Sequence, residues 1–209
     1  AIKTNPHPAM LKYLVDEGYG LEAASIEEVR MALEAGCSPS KIVFDSPVKT
    51  RAEIAEILGF DGMLVNVNSL GELDRYPEDF KPVLGIRVNP QVHTGAPELF
   101  DVSKNESKFG VALEHAEAIV NAALRYPVAA LHMHSGSQMK DLEVQRGALE
   151  ALKALADEIN QLQPGKIHTL DIGGGLPSEA LGSDARMARY GQIIAEVFDG
   201  SGYALVTEF

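Results

Sequence analysis

Cysteine is almost absent. Cys37 is the single one among 209 residues, so no intrachain disulfide can form, and a reducing, cytoplasmic setting is the simplest expectation. Basic residues are scarce as well: 18 Lys and Arg face 30 Asp and Glu, for a formal net charge of -12. That balance argues against a nucleic-acid partner, because phosphate binding needs clustered Lys and Arg. The apolar runs fall far short of the roughly 18 residues that cross a membrane, and no secretory leader is read. Low-complexity tracts are missing, and so are the turn signals of strand-to-strand hairpins. The lack of hairpins points away from an antiparallel sheet.

What is present suits one α/β domain with a sizeable core: 45% hydrophobic and 23% charged residues. Apolar runs of strand length recur near 1–4, 20–24, 42–45, 63–66, 83–88, 128–133, 167–172 and 203–208. The first five are spaced by about twenty residues. Helical patterns fill the gaps at Pro8–Glu17, Ser25–Ala35, Thr50–Leu58 and Ser69–Tyr76, and later at 111–125, 141–162 and 184–199, after a longer loop over 89–107. Ser25 followed by Glu28 is a capping-box pattern, and Gly36 is placed as a C-terminal cap.

Strands alternating with helices predict a parallel sheet, and eight strands are the number that closes a (β/α)8 barrel. A doubly wound open sheet is the alternative. A barrel concentrates functional residues where strands end. Lys3, Glu22, Asp45, Asn66, Arg87, His134, Gly173–Gly175 and Glu208 are read at such ends. A start inside a strand and an end at "VTEF" predict a piece of a longer protein, with the last barrel helix following Phe209.

Four of these positions carry chemistry. Lys3, in "AIKTN", is either an exposed strand-end lysine or a partly desolvated amine able to attack an aldehyde. In "LHMHSGSQ", His132 and His134 alternate along a strand and share a face; two such histidines could bind a metal, but no third ligand is read at sensible spacing, so none is assigned. His132 reads as a core histidine, whereas His134, beside Gly136 and Ser137, is suited to stacking on a planar ring. "DIGGGLP" lets backbone approach an anion through Gly173, Gly174 and Gly175, or else is a plain strand-to-helix turn; it is neither a Walker loop nor GxGxxG. Glu208 is either a solvated glutamate or the partner of a pyridinium nitrogen. An aldehyde-binding lysine, a stacking histidine, a phosphate cradle and an acid for a ring nitrogen converge on pyridoxal 5′-phosphate. His7, His93, His115 and His168 read as surface or loop residues, and Cys37 as a bystander.

The motifs jointly resemble the fold-type III pyridoxal-phosphate decarboxylases, the group of diaminopimelate and ornithine/arginine decarboxylases built on an alanine-racemase-like barrel. "AIKTN", "GYGLEAAS", "SKFG", "HMHSGSQ", "DIGGG" and "TEF" follow the family's order through the whole chain. The resemblance implies that residues 1–209 are the cofactor-binding barrel domain of a longer two-domain enzyme. It implies that Lys3 holds the cofactor aldehyde, that His134 stacks on the ring, and that Ser137 and Gly173–Gly175 hold the phosphate. Glu208 would face the ring nitrogen, with Arg87 nearby and Glu22 where the family often has Asp. It further implies an amino-acid substrate and a homodimer whose active site lies at the interface. "GSQ" favours the diaminopimelate branch, while Phe209 departs from the family's Pro and keeps open a sister decarboxylase for D-ornithine or D-lysine. An amino-acid racemase and a non-catalytic cofactor-binding homologue are the remaining readings.

Overall fold

Mainly apolar stretches of two to seven residues become parallel strands in this protein, whose computed structural model describes residues 1–92, 107–137, 141–176 and 184–208. The chain divides into two units, Ala1–Ile86 and Arg87–Phe209.

The first unit is built on β1 (Leu21–Ala23), β2 (Ile42–Phe44), β3 (Leu64–Val67) and the start of β4 (Val83–Asn89). All pairings are parallel, with Leu21 opposite Ile42, Val43 opposite Leu64, and Leu64 opposite Val83. Every residue of β1 to β3 is buried. That is why these strands read as mainly apolar runs, interrupted only by Glu22 in β1 and Asn66 in β3, rather than alternating ones. Helices α1 (Pro8–Asp16), α2 (Ile26–Glu34) and α3 (Arg51–Ile57) lie between them.

Local chemistry sets the ends of α2 and α3. Ser25 Oγ accepts the Glu28 N–H at 3.3 Å, while the Glu28 carboxylate accepts the Ala24 N–H at 2.7 Å, one residue before the position a full capping box uses. Gly36, at φ +88°, closes α2 in a Schellman arrangement: its N–H bonds Leu33 O, and the Cys37 N–H bonds Ala32 O. The full capping box falls instead at α3, between Thr50 and Glu53.

Two expectations for this unit are corrected. Residues Ile2–Thr4 form a turn of 3-10 helix rather than a strand. The Thr4 hydroxyl and N–H both bond back to Ala1 O, closing the turn ahead of Pro6 and Pro8. The helix expected over Ser69–Tyr76 is likewise a 3-10 helix, Leu70–Arg75.

In the second unit the end of β4 pairs in parallel with β5 (Val111–Ala112), Val88 lying opposite Val111. This strand replaces the start of the helix expected over 111–125, which begins later as α4 (Ala116–Arg125). Gly110 permits the approach: it sits at φ +75°, and a Cβ there would lie 2.9 Å from Arg87 O. Then follow β6 (Val128–His132), α5 (Leu142–Leu162), β7 (Thr169–Asp171), α6 (Asp184–Phe198) and β8 (Ala204–Val206). β6, β7 and β8 are parallel, with Leu131, Leu170 and Leu205 in register. Asp141 caps α5 by accepting the N–H groups of Glu143 and Val144. The helix buries Leu149, Leu152, Leu155 and Ile159 along one stripe, at about 1.5–3 kcal/mol for each side chain.

The parallel α/β class expected from the sequence is the one observed. Eight strands occur among the described residues, but with different membership: the stretch at 1–4 is not a strand, and Val111–Ala112 is.

Candidate functional site

In the first unit, Lys3 is carried on the 3-10 turn and anchored by Ile2, which is fully buried. Its ammonium donates to Glu22 Oε2 at 2.8 Å; the lysine side chain is 49% exposed and the glutamate side chain 3%. Glu22 is therefore the fixed partner and Lys3 the accessible one. Glu22 lies in the middle of β1 rather than at its end. Its second oxygen, Oε1, is buried with no hydrogen-bond partner among the described residues.

A second buried cluster in this unit was not read from the sequence. The side chain of Lys49, in the loop after β2, is fully buried and donates to Ser46 O (2.8 Å), Asn66 O (2.6 Å) and Glu72 Oε1 (3.1 Å). Glu72 also accepts the Tyr76 hydroxyl at 2.7 Å and the Asn68 N–H at 3.0 Å. Burial first, and then the Glu72 charge, push the Tyr76 phenol upward. The cluster ties the loop after β2 to the end of β3. Lys49 and Glu72 are 23 residues apart, and each sits in a stretch that looks like ordinary solvated charge. Asp45 is buried immediately after β2, while Asn66 is buried inside β3.

In the second unit, Arg87 is buried two residues before the end of β4, not at its tip. Its guanidinium carbon lies 4.7 Å from the centre of the Phe109 ring, a cation–π contact. His132 and His134 do not share a strand face, because β6 ends at His132. His132 is fully buried, with Nδ1 3.0 Å from Asp171 Oδ2. His134 lies beyond the strand and is partly exposed. Its Nδ1 accepts the Gly174 N–H at 3.3 Å, so the ring is held in the tautomer whose proton is on Nε2. Glu208 Oε2 is 3.9 Å from the same Nδ1, too far for a hydrogen bond. Glu208 lies two residues past β8 with its side chain 3% exposed.

The glycine turn follows β7. Gly173 has φ +64° and Gly175 φ +101°, values that favour glycine. A Cβ on Gly173 would lie 2.5 Å from Met133 O, and one on Gly174 would lie 1.9 Å from Glu208 O. The Glu208 N–H in turn bonds Gly173 O at 2.9 Å. Backbone conformation and close packing thus account for all three glycines. Gly136, at φ +125°, precedes the exposed Ser137. His7, which caps α1, is exposed along with His115 and His168; His93 and Phe209 lie outside the described residues.

These donor sets fit pyridoxal 5′-phosphate. An accessible amine sits beside a buried carboxylate with an unpartnered oxygen, and a buried carboxylate and a neutral imidazole flank a turn built from glycine backbone.

Comparison with known proteins bears on the same chemistry. Residues 1–201 match the family model described as pyridoxal-dependent decarboxylase, pyridoxal binding domain. A diaminopimelate decarboxylase of Campylobacter jejuni is 32% identical over 185 residues, which are 84% of this chain and 46% of that protein. One from Zymomonas mobilis is 29% identical across 100% of this chain and 52% of its own length. The crystal structure of diaminopimelate decarboxylase from Helicobacter pylori complexed with L-lysine superposes with a TM-score of 0.89 at 26% identity, over 99% of this chain and 55% of that one. Lysine decarboxylase from Selenomonas ruminantium gives 0.80 at 25% identity, over 100% and 54%. The chain spans about half the length of the curated relatives it matches.

Proposed function

The chain belongs to the pyridoxal-dependent decarboxylases, and from that premise we propose that it is the cofactor-binding domain, residues 1–209, of a longer amino-acid decarboxylase. The substrate we propose is meso-diaminopimelate, with lysine and CO2 as products; the named relatives support that choice. A cytoplasmic homodimer belongs to the same proposal. Among the described residues no helix is long and apolar enough to cross a membrane.

When bound, pyridoxal phosphate supplies an electron sink for the pair left on Cα as CO2 departs. The chain's own residues bind and bias that group. Lys3 would hold the aldehyde through its amine, and Glu22 Oε2, 2.8 Å away, would position that amine. His134 would stack on the ring, with its Nδ1 held by the Gly174 N–H. Ser137 and the turn at Gly173–Gly175 would hold the phosphate, with Arg87 near the ring. Glu208 would face the ring nitrogen. Its buried carboxylate favours the protonated nitrogen, because a nearby negative charge raises the pKa of a base.

The observation that carries the reading is this carboxylate. A racemase on a related scaffold works with a neutral ring nitrogen beside a cation, and the last described residue after β8 is an acid. The test is CO2 evolution by the full-length protein from meso-diaminopimelate, D- and L-lysine, and D- and L-ornithine. Wild type releases CO2 fastest from meso-diaminopimelate. Glu208→Gln keeps cofactor affinity but slows release by orders of magnitude, and Lys3→Ala loses the visible absorbance of the bound cofactor. No CO2 from any substrate, together with exchange at Cα–H, would refute the decarboxylase reading and establish a racemase.

A further inference from the structure

We infer that Phe109 is a positioning residue: its ring holds the Arg87 guanidinium in place, and the segment "SKFG" presses that ring onto the arginine. The inference rests on the function proposed above, in which Arg87 lies near the cofactor ring, and deepens it by one residue.

"SKFG" has no part in the chemistry assigned so far, yet its placement brings it onto Arg87. Arg87 is buried in β4, 6% exposed, and its guanidinium carbon lies 4.7 Å from the centre of the Phe109 ring. Gly110 lets the chain close in. A Cβ there would lie 2.9 Å from Arg87 O and 3.1 Å from Arg87 Cγ, so a larger residue would collide with the arginine's backbone and stem. β5 then pairs with β4, Val88 opposite Val111 and Asn89 opposite Ala112, which fixes the segment against the strand that carries Arg87. The Phe109 N–H donates to Ser107 Oγ at 3.1 Å and braces the backbone that presents the ring.

A buried cation needs compensation. An aromatic face supplies part of it electrostatically and leaves the N–H donors to other partners. Lys108 Nζ lies 5.1 Å from the same ring centre, but that residue is exposed. Water screens its contact, so the buried Arg87 is the cation the ring holds more firmly. The consequence for binding is electrostatic. Pyridoxal 5′-phosphate brings anionic oxygens, so a cation held near it strengthens binding. The same cation disfavours an added proton on the bound cofactor and holds down the pH midpoint of its visible absorbance. Phe109→Leu keeps an apolar side chain but removes the aromatic face, and Arg87 then spends less time in the binding arrangement.

The test is a double-mutant cycle on the full-length protein. It is read by fluorescence titration of the apoprotein with pyridoxal 5′-phosphate and by pH titration of the bound cofactor's visible absorbance. Phe109→Leu is expected to weaken pyridoxal 5′-phosphate by about three- to tenfold and to raise the midpoint by about 0.3 unit or more. Phe109→Tyr keeps the face and stays within about twofold of wild type. Arg87→Gln weakens the cofactor at least as much as Phe109→Leu does, and in that background Phe109→Leu adds less than about twofold. A residue that only packs would cost the same in both backgrounds, and that result overturns the inference. If Arg87→Gln does not fold, Phe109→Leu against Phe109→Tyr carries the comparison, and equal effects of the two overturn it. If Arg87→Gln binds and titrates as wild type does, Arg87 is not near the cofactor and the inference falls with that assignment. A wild type that binds no pyridoxal 5′-phosphate refutes the proposed function itself. A wild type that binds it, with Phe109→Leu unchanged in affinity and midpoint, refutes the positioning role alone.

Discussion

Alanine at Gly174 perturbs the turn at its tightest point. The added Cβ would lie 1.9 Å from the carbonyl oxygen of Glu208 and 2.8 Å from its carbonyl carbon. Both are backbone atoms, so no rotamer change relieves the overlap. Reaching 3.0 Å, the least separation that real Cβ atoms tolerate, needs a shift of about 1.1 Å. The tip of β8 resists that shift because the Glu208 N–H is bonded to Gly173 O at 2.9 Å. Overpacking costs about 1–3 kcal/mol and the strained hydrogen bond about 1 kcal/mol more, for about 2–4 kcal/mol in all. In a protein of this size that lowers Tm by about 5–15 °C. Thermal denaturation of the full-length apoprotein by circular dichroism measures it. Gly147→Ala is the control: the residue is exposed inside α5 with nothing within 4 Å of its would-be Cβ, and the change should stabilise by about 0.5–1 kcal/mol. A Gly174→Ala protein with wild-type Tm would show that β8 is not pressed against the turn, and the account of the triple glycine would be wrong.

Lys49→Met should cost about 3–5 kcal/mol in urea denaturation, because it strands the buried Glu72 carboxylate and two carbonyls; a loss below about 1 kcal/mol, the scale of a surface pair, contradicts the burial argument. Tyr203 donates to Asp157 Oδ1 at 2.7 Å, and burial first, then that hydrogen bond, push its phenol up to about 12. A raised folded value favours the protonated phenol in the folded state. Its contribution is therefore whole below the unfolded value of about 10 and is lost as pH rises through about 12. Tyr203→Phe should flatten the decline of unfolding free energy across that window, and an unchanged slope would contradict it.

The sequence carried the fold well where structure is locally determined. Buried parallel strands announce themselves as apolar runs, and Gly36 ends α2 by a conformation that glycine favours. It failed where the deciding contact is distant or subtle. Ala1–Thr4 reads as a strand by composition, yet a side-chain bond from Thr4 to Ala1 closes a turn. Val111–Ala112 reads as the start of a helix, yet pairing with β4 makes it extended. Lys49 and Glu72 look like surface charges, and only a separation of 23 residues closed by the fold makes them a buried pair. His132 reads as a core histidine and is one, but its approach to Asp171 on the neighbouring strand is again set by the fold.

The glycine motif shows why the residues had to be weighed together. Read alone, "DIGGGLP" suggests a ligand approaching backbone, yet conformation and packing against Met133 and Glu208 explain each glycine without one. What packing leaves unexplained is Glu22. Burying a carboxylate is unfavourable unless its oxygens are bonded, and Oε1 has no partner among the described residues while Oε2 holds an amine that is half in solvent. Folding alone gains little from that arrangement, since an isolated, partly exposed pair contributes about 1 kcal/mol or less. A site that must keep an amine accessible and still hold it in a fixed place gains from both features at once. The unbonded oxygen beside Lys3 therefore argues more strongly for the cofactor than the three glycines do.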